Sequence, residues 1–396
     1  MGSQGLAGTP ETSTMIYIVT NRRVESRIED GKVVETIRPD GQEKALPVFR
    51  IATLDLHPTD PKRDRPEVVP DEFVESYADL APEAPLDRVF GSRRMFVDLY
   101  RRMSAAPAGK GDTLVFLHGF QYSLPASLEH IRKLHEIYLE PEDSPIANLV
   151  YFSWPSCGEV TEYKDDQEDA VESGRLLGRL FRKTRQFFVE FFGDKVDRRN
   201  VFCGHRIHLA AHSMGNQVLT HLIREMNDHP QPAFSLFGEV LLLNADADWN
   251  VFEPGQPLHR LPEYCERTHI YNHYSDNALW ISQHTKNFMK RLGRQGPSDL
   301  DTLPPRTKVV DCSGLKARTG KAAGAAARDP FAARAAEITG QKDKVSARER
   351  LFDHWGYLYR REVIADVKAV LAGRGSTSIP HREATPHPNL FKLRDW

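Results

Sequence analysis

Apolar positions in this chain change rhythm along its length. Residues 15–20, 32–37 and 48–54 are short β-prone runs. Asn21, Pro39, Asp40 and Gly41 punctuate them, and together they predict an N-terminal antiparallel edge. Residues 57–70, rich in Pro, Asp and Arg, predict an exposed loop, and residues 71–80 a short helix. Over 90–103 the apolar residues Phe90, Met95, Phe96, Leu99, Tyr100 and Met103 recur at helical spacing. Pro107, Gly109 and Gly111 then break the pattern.

From residue 113 strands and helices alternate. Thr113-Leu114-Val115-Phe116-Leu117 is a continuous apolar run, as expected of a strand buried on both faces. Further strands are predicted at 148–154, 207–210, 240–245, 268–274 and 307–311, the last being the final strand. Between them, helices are predicted at 125–139, 165–192, from the turn after residue 213 to 227, and at 277–292. The helix at 165–192 opens with Asp165, Asp166, Glu168 and Asp169, which suit the positive end of its dipole. Its apolar face, including Val171, Leu176, Leu180 and Phe187, reads as core-packing. This alternation predicts an α/β fold with a mainly parallel central sheet and helices on both faces. Residues 316–344, rich in Ala and Arg, read as an insertion and a candidate lid. A closing helix follows through 363–371, then a polar tail from 373 in which Leu390, Phe391, Leu393 and Trp396 are candidates to dock. The expected organisation is a disordered tail at 1–14, one domain over 15–372, and a C-terminal tail at 373–396.

Composition narrows the function classes. Of 396 residues, 40% are apolar and 27% charged, which is globular, and the formal net charge of −2 gives no general reason to expect nucleic acid or an anionic membrane as partner. No apolar run approaches the roughly 18–20 residues that span a bilayer. The start lacks a basic and an apolar signal region, and Leu6 breaks the myristoylation pattern that Met1-Gly2 opens. Cys157, Cys203, Cys265 and Cys312 are far apart, with no metal spacing, and read as reduced thiols of a cytoplasmic protein.

The candidate chemistry centres on Ala211-His212-Ser213-Met214-Gly215, a serine at a strand-to-helix turn flanked by small residues two before and two after. Such a turn is a nucleophile elbow, and serine there needs a base oriented by a carboxylate, in chain order Ser, acid, His. Asp276, directly after a strand, is a candidate acid; it also suits a helix N-cap. Asp248, at the end of the preceding strand, is the rival acid, with Asp246 behind it. His354 lies before the closing helix and is the candidate base; His381 and His387 are rivals in the tail. His118-Gly119-Phe120 ends the strand two before the elbow, so the backbone N–H groups of Phe120 and Met214 are assigned to an oxyanion hole, with His118 supporting the turn. His208 and His212 stand at i,i+4 on a strand without the HExxH glutamate, so no metal site is expected.

These motifs resemble those of the α/β-hydrolase superfamily, and more specifically the bacterial α/β hydrolases of the domain-of-unknown-function 900 family (DUF900). The matching residues are Tyr17-Ile18-Val19-Thr20-Asn21-Arg22, His118-Gly119-Phe120, Phe152-Ser153-Trp154-Pro155-Ser156, Ala211-His212-Ser213-Met214-Gly215-Asn216, Ser275-Asp276-Asn277-Ala278-Leu279 and the His354 region. The resemblance covers roughly residues 15–371. It implies a Ser-Asp-His hydrolase and favours Asp276 over Asp248. The resulting expectation is a cytoplasmic serine hydrolase that cleaves a carboxylic ester of a small acyl substrate without metal or organic cofactor. An amidase or thioesterase using the same residues, or a non-catalytic scaffold that binds a partner, are the alternatives.

Overall fold

The computed structural model describes residues 15–39, 44–71, 85–156, 163–192, 204–229, 235–316 and 353–395. The expected 1–14 tail, almost all of the helix at 71–80, nearly the whole 316–344 insertion, Cys157, Cys203 and Trp396 lie outside the described residues.

Within them, a mostly parallel central sheet carries helices on both faces, and a small antiparallel sheet stands beside it. The chain runs β1 (Met15–Thr20), β2 (Val24–Glu29), β3 (Lys32–Ile37), β4 (Arg50–Asp55), β5 (Arg65–Val68), α1 (Gly91–Ala105), β6 (Asp112–Leu117), α2 (Leu124–Leu134), β7 (Ile146–Ser153), α3 (Tyr163–Phe192), β8 (Ile207–His212), α4 (Gly215–Asp228), β9 (Phe237–Leu243) and β10 (Cys265–Asn272). It continues through α5 (Asn277–Ile281), α6 (Leu292–Gln295), β11 (Thr307–Asp311), α7 (Gly356–Tyr359), α8 (Arg361–Leu371), β12 (Arg382–Ala384) and β13 (Leu390–Leu393). The eleven-stranded sheet has the order β12-β13-β11-β10-β9-β8-β6-β7-β1-β4-β5. Its centre, from β1 to β11, is parallel, which puts the carboxyl ends of β6, β8, β9 and β10 along one rim.

The core follows from strand periodicity. Side chains alternate across a strand, so each central strand feeds both faces. On β1, Tyr17 and Val19 join the cluster packed by α1, α3 and α4, while Ile16 and Ile18 join the one packed by α2, α7 and α8. On β9, Val240 and Leu242 face the first cluster, Leu241 and Leu243 the second. Runs such as Val240-Leu241-Leu242-Leu243 are continuously apolar because neither face is solvated.

Three expectations are corrected. The 32–37 run does not join the sheet edge: it pairs with Val24–Glu29 as a separate hairpin, and the edge is β1 with β4 and β5. Residues 57–70 are not all loop, because Arg65–Val68 supplies β5. The 307–311 strand is not the last, because the tail returns as β13, parallel to β11, with β12 beside it. Leu390, Phe391 and Leu393 do dock there, Phe391 and Leu393 buried. In addition, the helix expected over 277–292 breaks: a π-helical turn at Ser282–Asn287 ends at Phe288, whose φ of 54° is left-handed. That break turns Arg291 inward onto Asp246 and Asp248. Among the described residues no helix is long and apolar enough to cross a membrane.

Candidate active site

Strand β8 delivers Ser213 to the sheet rim in a left-handed backbone conformation, φ 51°. A non-glycine residue held there stores strain, and that turn lifts a serine hydroxyl clear of its strand and helix. The surroundings enforce it. The Ser213 amide donates to Leu243 O at 3.1 Å, and its carbonyl accepts from the Asp246 amide at 3.0 Å. Asn216 Nδ2 donates to Ala211 O (2.9 Å) and to Ser213 O (3.1 Å), stapling the turn from the first coil of α4. Gly215 is required by contact: a Cβ there would lie 2.5 Å from Leu117 O and 2.6 Å from His118 O.

The acid candidates separate. Asp276 is fully buried after β10, and its Oδ2 lies 2.7 Å from His354 Nδ1. The same oxygen accepts from Asn244 Nδ2 at 2.9 Å, and Oδ1 accepts from the Leu279 amide at 3.0 Å, capping α5. Burial opposes its ionisation, but the His354 ring and these donors outweigh burial and hold the carboxyl below its ordinary pKa. Asp248 instead pairs with Arg291 Nη1 at 2.5 Å and is half exposed. Asp246 is buried and accepts from Tyr163 OH (2.6 Å), Ser282 Oγ (2.8 Å) and Arg291 Nε (2.7 Å).

His354 is buried and anchored from several sides. Its carbonyl accepts from His212 Nε2 at 2.9 Å, and the two rings lie 4.7 Å apart. A carbonyl only accepts, so His212 carries its proton on Nε2. Burial, then the neighbouring His354, push the His212 pKa well below its ordinary value. Asp353, one residue before, pairs with Arg360, and its carbonyl accepts from Asn244 at 3.1 Å. With Nδ1 on a carboxylate, His354 presents Nε2 as its basic nitrogen. Among the described residues neither Ser213 Oγ nor His354 Nε2 has a hydrogen-bonding partner, so the serine and the imidazole are not bonded to each other here.

The rival histidines lie elsewhere. His387 Nε2 meets Asp301 at 3.0 Å, and His381 sits in the β12–β13 hairpin. His208 and His212 are separated by four residues of strand, roughly 13 Å. His208 bonds Asp112 at the start of β6, at the far end of the sheet from Ser213. Among the described residues no group of metal-ligating side chains is present.

The His118-Gly119-Phe120 turn faces the elbow: a Cβ on Gly119 would lie 2.8 Å from Ser213 Cβ and 3.2 Å from His212 O. His118 Nε2 accepts from the Trp154 amide at 3.1 Å, which puts its proton on Nδ1, 2.8 Å from Gly119 O. Gly119 C=O and Phe120 N–H share one planar trans peptide, so holding the carbonyl directs the amide the opposite way. Burial, then the charge of Arg22, keep His118 well below its ordinary pKa and therefore neutral. Among the described residues the amides of Phe120 and Met214 donate to no protein acceptor.

Asn216, Asn244 and Arg360 were not singled out in the sequence for any role. Asn216 acts on backbone carbonyls of its own turn and Arg360 on the nearby Asp353, while Asn244 reaches Asp276 and the Asp353 carbonyl from a distant strand end; none of these contacts has a residue pattern to read.

Residues 107–319 match the family described as "Alpha/beta hydrolase of unknown function (DUF900)". Compared with curated proteins, the chain matches none. The family match spans more than half of the chain, and the protein therefore belongs to this family of alpha/beta hydrolases.

Proposed function

We propose that the protein is a serine hydrolase that cleaves a carboxylic ester of a small acyl substrate. The observation that carries the reading is the buried Asp276–His354 hydrogen bond beside a serine held at positive φ. His354 Nε2 removes the Ser213 proton as Oγ bonds to the ester carbon. The carbonyl oxygen takes up the electron pair and is stabilised by the Phe120 and Met214 amides. Collapse expels the alcohol, which leaves with the proton from His354. Water, deprotonated by the same nitrogen, then attacks the acyl-enzyme and releases the acid. Asp276 stays ionised, fixes the His354 tautomer and offsets the imidazolium charge. No step calls on a cofactor. The reading places the reaction in the cytoplasm, supported by the free, buried thiols of Cys265 and Cys312.

The test is labelling by a fluorophosphonate, with p-nitrophenyl ester turnover measured beside it. Wild-type protein is expected to be labelled and to turn over the ester, and Ser213→Ala to do neither while remaining folded. Equal turnover by both proteins would overturn the role of Ser213. A folded wild type that neither labels nor turns over ester would favour a partner-binding scaffold.

A further inference from the structure

Two motifs far apart in the chain, Thr20-Asn21-Arg22 and Phe152-Ser153-Trp154-Pro155-Ser156, meet behind the turn that carries Phe120. We propose that Arg22 and Ser156 are positioning residues that fix the Phe120 amide for donation to an oxyanion formed at Ser213. This assignment rests on the acyl-transfer reading above.

Arg22 follows β1 and is only 1% exposed. Its Nη2 donates to Tyr122 O and, at 2.7 Å, to Trp154 O, and its Nε donates to Ser153 Oγ at 3.0 Å. One planar cation thus ties the end of β7 to the far side of the Phe120 turn, a task that suits the rigid fork of arginine. Ser156 completes the clamp. Its hydroxyl donates to Asp166 Oδ2 on α3 at 3.0 Å, which uses its one hydrogen. Its oxygen then accepts from the Gln121 amide and from the Tyr122 amide at 3.3 Å. Gln121 is held in the left-handed region, φ 65°, a conformation that a free loop would leave readily.

The polar groups of the turn are accounted for one by one. Trp154 Nε1 holds His118 O at 3.0 Å, His118 Nδ1 holds Gly119 O, Ser156 holds the Gln121 and Tyr122 amides, and Arg22 holds Tyr122 O. The Phe120 amide stands in the middle of these anchored groups and, among the described residues, is given no protein acceptor. An oxyanion donor works by being aimed before charge develops, so that no reorganisation is needed at the moment of reaction. Releasing an anchor frees the Gly119–Phe120 peptide to rotate away without removing any group that touches substrate.

The experiment uses the full chain with Ser156→Ala, Ser156→Thr and Arg22→Lys. It measures hydrogen exchange over residues 118–123, kcat and KM on a p-nitrophenyl ester, and fluorophosphonate labelling. Ser156→Ala is expected to speed exchange of the Gln121 and Tyr122 amides by at least about tenfold, and to lower kcat about 100-fold with KM within about threefold. Ser156→Thr keeps the hydroxyl and is expected to restore both. Arg22→Lys is expected to show the same kcat-selective loss, since an ammonium cannot span both carbonyls. Unchanged exchange in Ser156→Ala overturns the assignment, as does faster exchange with unchanged kcat, which marks a purely structural contact. A wild type that is neither labelled nor active overturns the acyl-transfer reading and the assignment with it.

Discussion

Asp276 gives one carboxylate oxygen to His354 and the other to the helix that begins beside it. Oδ2 lies 2.7 Å from the imidazole Nδ1, while Oδ1 caps α5 through the Leu279 amide at 3.0 Å. Helix capping and imidazole orientation are alternatives when read from sequence, yet one side chain does both. The cap fixes the carboxylate rotamer, and the fixed rotamer fixes the ring.

Replacing Asp276 with Asn keeps a cap acceptor but turns a donor toward a ring nitrogen that is itself a donor. Asp276→Asn is therefore expected to lower ester kcat by about 10⁴, the scale seen when a triad carboxylate is lost with its geometry intact. Asp248→Asn, which changes only a half-exposed partner of Arg291, is expected to stay within about threefold of wild type. Steady-state kinetics on both variants check this, and the reverse ranking would move the acid to Asp248.

Two glycines, one in the elbow and one in the turn that faces it, are expected to fail differently. In Gly215→Ala the new methyl meets backbone oxygens of Leu117 and His118, which cannot yield, so a loss of about 3 kcal/mol in urea unfolding is expected. In Gly119→Ala the methyl meets Ser213 Cβ at 2.8 Å. Displacing Ser213, the proposed nucleophile, is expected to cost at least about 100-fold in kcat/KM. Wild-type kinetics in Gly119→Ala would contradict the packing of this turn against Ser213.

His130 predicts an acid limb of stability. It is buried between the Tyr151 and Tyr357 hydroxyls, at 2.9 and 3.0 Å, and burial pushes its pKa down to about 3. Its ordinary value is about 6.5, so below that pH the unfolded chain binds a proton that the folded chain refuses. The contribution is full above about pH 6.5 and is lost as pH falls toward about 3. Unfolding midpoints of His130→Gln are expected to fall less steeply than those of wild type between about pH 7 and about pH 4. Parallel slopes would remove His130 as a contributor.

Arg382 fastens the returning tail. Its Nε and Nη2 each lie 2.6 Å from Asp366, and both side chains are fully buried. Asp366 also accepts from Tyr271 OH at 2.6 Å. Arg382→Ala strands a buried carboxylate, and a loss of about 3–5 kcal/mol in urea unfolding is expected. A change below about 1 kcal/mol would show the tail to be dispensable for stability.

The parts of the fold visible in the sequence are those where one physical rule acts alone. Central strands such as Leu114–Leu117 and Val240–Leu243 are apolar throughout because both faces are buried. Strand β2, Val-Glu-Ser-Arg-Ile-Glu, has no buried face and so no apolar run to find. Strand β13 has only four residues in a stretch rich in Pro and His, and it is held by the edge of β11. Phe288 carries no residue signal for its left-handed φ, so the break after α5 was invisible. At the site, Ser213, Asp276 and His354 stood out because chain order and strand ends constrain them. Arg22, Ser156 and Asn216 lie in motifs that stand out, but their partners are largely backbone carbonyls and amides, which look the same at every position, so the sequence shows no role for them.

The Asp276–His354 bond joins residues 78 positions apart, and the Arg22–Tyr122 bond joins residues 100 apart. The stretch that matches the family, 107–319, contains Ser213, Asp276, Phe120 and Ser156 but neither Arg22 nor His354. During synthesis, then, the sheet centre and the Ser213 turn leave the ribosome well before His354 does. A nascent chain carries Ser213 before His354 exists, and the two share one site only when the segment bearing α7 and α8 arrives to pack on the sheet.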